Sequence, residues 1–291
     1  MFQEMADKGH YRRAGGTRQG IYVCSPSGIL LSSINSLKPD DVLTTIQTGL
    51  DNWNTLPLSD RDIPNDFSLK ARHRWENSYP ESGMVLKLSK IDLISDPPNQ
   101  LERSDRWNRD FVWFNKDEVT QWIPENQQKG DIYSLTDFIS DLLFCFHLVD
   151  NTRGQTLPFA PEEIKESHIE IEVENINSNS IDIKISGNSN AVSRGPWLFG
   201  DNDWTPNYEL DHGISTNLLG YATYNSSLKE FSTFEIVSIG YRKGRTQNNG
   251  RQNSPDSGYI GFYFTLAKDI PSERIAPAFV DIYNADWIMQ P

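Results

Sequence analysis

Hydrophobic and polar positions divide the chain into stretches of different rhythm. Between Gly20 and Leu56, Ile21 and Val23 flank Tyr22, Ser25-Pro26-Ser27-Gly28 supplies turn chemistry, and Ile29 to Ile34 return as a second apolar segment. This predicts strand, turn, strand. A helix is expected from about Ser36, because Pro39 suits its first turn and Asp40 and Asp41 complement its dipole. Val42, Ile46, Leu50 and Trp53 recur at spacings of four, four and three, the pattern of one buried stripe, and Pro57 ends the helix.

Residues 58–114 are irregular, with a strand-like run at 84–93 and a loop marked by Asp96-Pro97-Pro98-Asn99. Asn115 with Glu118 three positions on has the form of a capping box, opening a short helix that Pro124 closes. Ser134 with Asp137 suggests a second helix start. Leu135, Phe138, Ile139, Leu142, Leu143 and Phe146 would then make a wide buried face.

From about residue 165 the period changes to two. Segments 169–176 and 180–187 alternate strictly around Asn177-Ser178-Asn179, which predicts a hairpin. Runs at 218–224, 231–242 and 259–267 continue as strands between polar loops. The expected fold class is α+β, with a small α/β segment and a larger antiparallel domain built as a sandwich or a curved sheet. The expected divisions are 1–57, a mixed Arg/Trp-rich connector at 58–160, and a β domain at 161–291.

The order strand, turn, strand, helix over 20–56 resembles the C-terminal half of a thioredoxin fold. In that family the redox Cys-x-x-Cys lies upstream, yet the nineteen residues before Gly20 include no cysteine. Thr17-Arg18-Gln19 stands where the family places a cis-proline. Dithiol exchange needs an attacking and a resolving thiol, so the resemblance implies a thioredoxin-like segment without that mechanism. The segments RHRWE, WNRDFVWF, HLVDNTRGQT and FEIVSIGYRKGRTQNNGR resemble uncharacterised bacterial proteins in which a thioredoxin-like segment precedes a β-rich domain.

Length, 291 residues, allows a sizeable core, and 37% apolar content with eight tryptophans fits a folded protein with polar loops. A net charge of −13 argues against nucleic acid as a main partner, because phosphate binding needs a basic footprint. No apolar run reaches the ~18–20 residues of a membrane helix, and the first residues lack the apolar core of a signal peptide. Neither a membrane partner nor export is therefore expected. A cytoplasmic location follows by default, unless the chain is shortened at its N-terminus, where Met1 to Met5 read as the middle of a helix.

Chemistry-bearing residues are sparse. Cys24 and Cys145 stand 121 positions apart, which suits neither a disulfide framework nor a zinc ribbon, and both are expected as buried apolar groups. Five scattered histidines make no zinc-protease motif, and no nucleophile elbow or phosphate loop is present. Asp201, Asp203, Glu209 and Asp211 concentrate oxygen ligands on one loop and could hold Ca2+, with His212 joining for a transition metal. Two aromatic–guanidinium islands carry Arg74 and Trp75, then Trp107, Arg109 and Trp113. They could line a groove for a sugar, peptide or carboxylate, or pack as an interface. Arg242, Arg245 and Arg251 flank a long loop and could hold an anion. The expectation is a non-catalytic binding or accessory protein acting on a protein, small-molecule or glycan ligand. The alternatives are a truncated or single-thiol oxidoreductase using Cys24, and a carbohydrate-directed β protein. No cofactor other than Ca2+ is expected.

Overall fold

The computed structural model describes residues 2–11, 19–63, 78–93, 107–195, 210–246, 249–252 and 254–280. The chain divides into two compact units, Met1–Lys70 and Ala71–Pro291.

The first unit contains α1 (Phe2–Lys8), β1 (Ile21–Cys24), β2 (Leu30–Ile34), α2 (Pro39–Thr55) and the single turn α3 (Leu58–Arg61). β1 and β2 form an antiparallel hairpin, closed by Ser25 N–H to the Ile29 carbonyl at 2.9 Å. Strand, turn, strand and helix thus lie where the residue pattern puts them. The face of α2 that packs does not. Thr45 and Gly49 are buried, whereas Leu43, Ile46 and Leu50 are exposed and Trp53 is half-buried. The expected stripe of Val42, Ile46, Leu50 and Trp53 is thereby corrected. Close approach decides the orientation: a Cβ at Gly49 would stand 2.6 Å from Val23 Cγ1. Ser32 Oγ then donates to the Thr45 carbonyl at 2.7 Å and Asn52 Nδ2 to the Leu31 carbonyl at 2.7 Å.

In the second unit, β3 (Met84–Leu93) and β4 (Trp107–Phe114) come first. They are followed by α4 (Lys116–Gln121), β5 (Ile132–Ser134), α5 (Asp137–Asp141) and a π-helix at Leu142–His147. Five long strands complete it: β6 (Ile164–Ile176), β7 (Ser180–Gly195), β8 (Leu210–Asn225), β9 (Glu230–Gly244) and β10 (Ser257–Leu266). All eight strands of this unit pair antiparallel in one sheet, in the order β4-β3-β10-β9-β8-β7-β6-β5. The β-rich, α+β expectation holds at this coarse level. Where a sandwich was read, the described residues show a single sheet with helices over one face. The division expected at 160/161 falls inside that sheet, because β5 pairs with β6 and β3 pairs with β10.

One face of the sheet, termed inner here, carries the core. Leu86, Leu88, Phe262, Phe264, Ile236, Ile185 and Ile171 meet Ile139, Leu143 and Phe144 of the α5–π-helix segment. Burying each such side chain is worth about 1.5–3 kcal/mol, which makes this the main source of stability. α4 is held by a full capping box: Asn115 Oδ1 accepts from Glu118 N–H at 2.9 Å and Asn115 N–H donates to Glu118 Oε2 at 2.7 Å. Behind it, Trp122 is fully buried, edge-on to Phe114 and Phe234 at 5.8 and 5.1 Å. The second helix starts at Thr136 rather than Ser134, since Ser134 ends β5.

Candidate functional site

The inner face changes character along its strands. On β3, β4 and β9 it turns polar past Leu88, Val112 and Ile236, where Lys90, Asp110 and Arg242 take inward positions, while Ile214 of β8 and Ile260 of β10 stay apolar. Lys90 of β3, Asp110 of β4 and His147 of the π-helix meet there, each nearly inaccessible to solvent. His147 Nδ1 lies 3.0 Å from Asp110 Oδ2, Lys90 Nζ lies 3.8 Å from the same oxygen, and Lys90 donates to Asn151 Oδ1 at 2.9 Å. Asp110 Oδ1 accepts the N–H groups of Phe111 and Ala278, both at 2.8 Å. Burial alone would raise the Asp110 carboxyl. His147, Lys90 and the Ala278 amide reverse this and bring it down to about 2. Burial pushes the Lys90 ammonium down to about 8 against the pull of Asp110 and Asp150, and burial also lowers His147.

Next to this triad, Arg251 is the hub of a second network. Its guanidinium reaches Asp92 at 2.6 and 2.7 Å and Asp150 at 2.5 and 2.9 Å. Arg153 donates to Asp92 Oδ2 at 2.5 Å, and Arg242 Nε stands 3.8 Å from Asp150. These residues come from β3, β9, the 150–153 segment and the 245–256 loop. The network therefore ties the loop ends to the sheet.

The outer face runs the other way. On β9, Val237, Ile239 and Tyr241 point outward while Ile236, Ser238, Gly240 and Arg242 point inward. Cross-strand pairing extends this apolar field through Leu219 and Tyr221 of β8 and Tyr259 and Tyr263 of β10, then Ile91 and Leu93 of β3 and Trp107 of β4. Val237 and Tyr259 are each 54% exposed and Trp107 is 52% exposed. Near the middle of the field, Gly261 leaves a hollow of about 450 Å³ between Ile91, Trp107, Arg109, Val237 and Tyr263. A second hollow of about 400 Å³ opens at Gly213, between Val192, Ser215, Tyr241 and Lys243.

The structure brings two of the expected binding residues together. Arg109 lies over the Trp107 ring at 5.0 Å, beside the Gly261 hollow. Trp113 shares their side of β4 but is buried with Val85, Phe111 and Val280, and its Nε1 donates to the Ile275 carbonyl at 3.1 Å. It is a packing residue, which corrects its assignment to a groove. Arg245 sits half-buried beyond the end of β9, six residues from Ile239 and so about 20 Å along the strand from the Trp107 row. Arg251 has the Asp92 and Asp150 carboxylates as its anions, so it is not a free anion ligand. Arg74 and Trp75 lie outside the described residues, as do Asp201, Asp203 and Glu209. Asp211 is exposed and faces Arg194 at 3.3 Å, and among the described residues no group of three or more His, Cys, Asp or Glu could hold a metal. Cys145 is buried as expected, with its thiol pushed up to about 12, first by burial. Cys24 is exposed, contrary to expectation, because its position at the end of β1 faces away from α2, and partial burial raises its thiol.

Sequence reasoning did not find Lys90, Asp92, His147 or Asp150, since their partners are 20 to 159 positions away. The one available signal was polar residues at inward positions of otherwise apolar strands. Comparisons with protein-family models, curated proteins and solved structures find no match to this chain.

Proposed function

We propose that this chain is a non-catalytic binding or accessory protein whose recognition surface is the outer face of the eight-stranded sheet. In this reading the first unit is a degenerate thioredoxin-like scaffold. One observation carries the proposal: nine large apolar side chains, each about half exposed, form a continuous field over five strands, with the less exposed Tyr241 among them. Lone exposed apolar residues are ordinary, but a contiguous field of this size marks an interaction surface. The ionisable constellation of Lys90, Asp110 and His147, by contrast, is sealed, and a catalytic acid or base must reach substrate.

The test is the double substitution Val237→Lys with Ile239→Glu. Bis-ANS fluorescence of the dilute native protein is expected to fall in the variant, with Tm within about 2 °C of the parent. A drop in Tm as large as that of a core substitution would mean that the protein's own chain covers this face, and would sink the reading.

A carbohydrate-directed role is the second reading, favoured by the Gly261 hollow. Trp107 and Tyr263 supply aromatic faces there, and Arg109 and Ser89 supply hydrogen-bonding groups. Titration with a panel of neutral and acidic oligosaccharides, followed by tryptophan fluorescence in the parent and in Trp107→Ala, decides it. No sugar-dependent change in the parent rules it out.

A further inference from the structure

An antiparallel sheet with one wetted face normally alternates apolar inward and polar outward. β9 departs from this rule. Its outward Val237, Ile239 and Tyr241 are more apolar than its inward Ser238, Gly240 and Arg242. An apolar face is normally a covered one. Among the described residues the helices cover the inner face, while the outer one is covered only at the β3–β4 end, where Val85, Phe111 and Trp113 pack with Val280.

The size and charge of the outer face identify the cover. Nine half-exposed side chains of this type present on the order of 800 Å² of surface. That exceeds the ~300–600 Å² of the largest patch on a typical monomer, and matches the ~800 Å² each partner contributes to a stable interface. The flanks of the field are of opposite sign. Arg109 stands on β4, over the Trp107 ring, and among the described residues it has no ion-pair partner. On the far flank β6 presents Glu166, Glu170 and Glu172. Of these, Glu172 already pairs with Lys184 at 3.0 Å, and Glu170 lies 3.8 Å from His168 and is level with Arg109 in the sheet register. β4 and β6 are each three strands from β9, about 14 Å at the usual spacing.

We propose that a second copy of this chain covers the outer face, sheet against sheet, about a two-fold axis running along β9; this rests on the reading of that face as the recognition surface. Such an axis carries β4 onto the partner's β6 and β10 onto the partner's β8. Val237 and Ile239 then meet their own counterparts on the axis, and Arg109 meets the acidic flank twice by symmetry. The contact is isologous, so the face supplies its own complement. Gly261 lies one strand from the axis and level with Ile239, so it faces Asn217 of the partner's β8, with Leu219 two positions along. A Cβ at Gly261 would stand 3.1 Å from Leu93 Cδ2, an exposed side chain that a shift of a few tenths of an ångström would clear, and would fill part of the hollow. Glu235, which accepts from the Tyr263 hydroxyl at 2.8 Å, and Lys243, 5.8 Å from the Tyr241 ring, bound the apolar stretch of β9 at either end. The like charges that the axis brings together therefore lie at the solvent-screened rim and not at its centre, where Ile239 stands.

Sedimentation velocity on the full chain from ~0.1 to ~100 µM tests this, a range that brackets the affinities such interfaces reach. A concentration-dependent dimer is expected. Ile239→Glu should abolish it by opposing two carboxylates on the axis, with the far-ultraviolet spectrum and Tm of a folded chain. Arg109→Glu should weaken dimerisation about tenfold, as should Glu170→Arg, and the two changes in one chain should restore it. A chain monomeric at ~100 µM, a dimer indifferent to Ile239→Glu, or no recovery in the double variant would each overturn the proposal. A monomeric parent whose bis-ANS signal still depends on Val237 and Ile239 would remove the second copy and leave the recognition surface standing.

Discussion

Arg251 donates to both carboxylate oxygens of Asp92, at 2.6 and 2.7 Å, across a sequence separation of 159 residues. The pair joins the 245–256 loop to β3, and Asp150 closes it from a third segment. Burying three charges in one place is costly unless each finds fixed partners, and the fork of a guanidinium between two carboxylates provides them.

Removing that fork should therefore be expensive. Arg251→Met strands Asp92 and Asp150 without their shared cation, and urea unfolding is expected to show a loss of about 3–5 kcal/mol. Arg251→Lys should lose a large part of this as well, since one ammonium cannot serve both carboxylates. The Arg274–Glu81 pair offers the contrast, because Glu81 is mostly exposed. Arg274→Ala should change stability by less than about 1 kcal/mol. Equal losses at the two sites would contradict the role given to the buried network.

The His147–Asp110 contact predicts a two-stage acid response. The folded-state pKa of His147 lies below its ordinary 6.5, chiefly through burial. Its contribution is therefore present above pH 6.5 and is lost as pH falls through the lower folded value. Asp110, brought from 3.8 to about 2, follows with the same sign in the window between those values. Urea midpoints measured against pH should fall in both windows. His147→Gln should flatten the first and also shrink the second, because His147 is the first of the groups that hold the Asp110 carboxyl down, and an unchanged slope below pH 6.5 would refute the assignment.

The two cysteines should separate cleanly in a thiol-reagent assay. Cys24 is exposed and Cys145 fully buried. In native protein one equivalent should react, and the second only on unfolding. The rate at Cys24 should rise with pH to a midpoint above 9.0, because desolvation raises its thiol. A midpoint well below 9.0 would instead mark an activated thiolate and revive single-thiol redox chemistry.

At the start of α4 the capping box couples helix stability to pH. Burial raises the Glu118 carboxyl from 4.5 to about 7, and the Asn115 amide bond only partly opposes this. Its stabilising contribution is therefore present below pH 4.5 and lost as pH rises through about 7. Glu118→Gln should remove that loss while keeping an acceptor for Asn115 N–H. Asn115→Ala should cost about 1 kcal/mol at any pH, as loss of an N-cap does. Stability that is flat from pH 5 to 8 in the parent would count against the raised value.

Local pattern was enough for the elements that depend on neighbours in sequence. The hairpin of β1 and β2, the Asn115–Glu118 cap, the apolar face from Leu135 to Phe146 and the β6–β7 hairpin all rest on contacts within a few residues or on adjacent strands. The Arg/Trp island at 107–113 was legible only as residue types in a stretch that reads as irregular. The pairing of β4 with β3 makes it a strand and puts Trp107 and Arg109, at i and i+2, on one face. Where pattern misled, a nonlocal fit had overruled it. Hydrophobicity assigned Ile46 and Leu50 to the core side of α2, yet only Gly49 and Thr45 are small enough for the approach of Val23.

What the sequence determined by itself, then, is most of the helices and strands, with their caps and turns, and the antiparallel class, because these follow from period, propensity and short-range hydrogen bonding. β4 and β5, which lack a clear period, became strands only by pairing with β3 and β6. Only the tertiary structure decided that β3 lies beside β10, that Lys90 meets Asp110 and His147, and that Val237 and Ile239 look outward. The apolar residues of β9 change parity between Ile236 and Val237, and period alone would turn the second set inward. Arg242 and the ionic network occupy that end of the inner face, so the apolar side chains are left on the outer one.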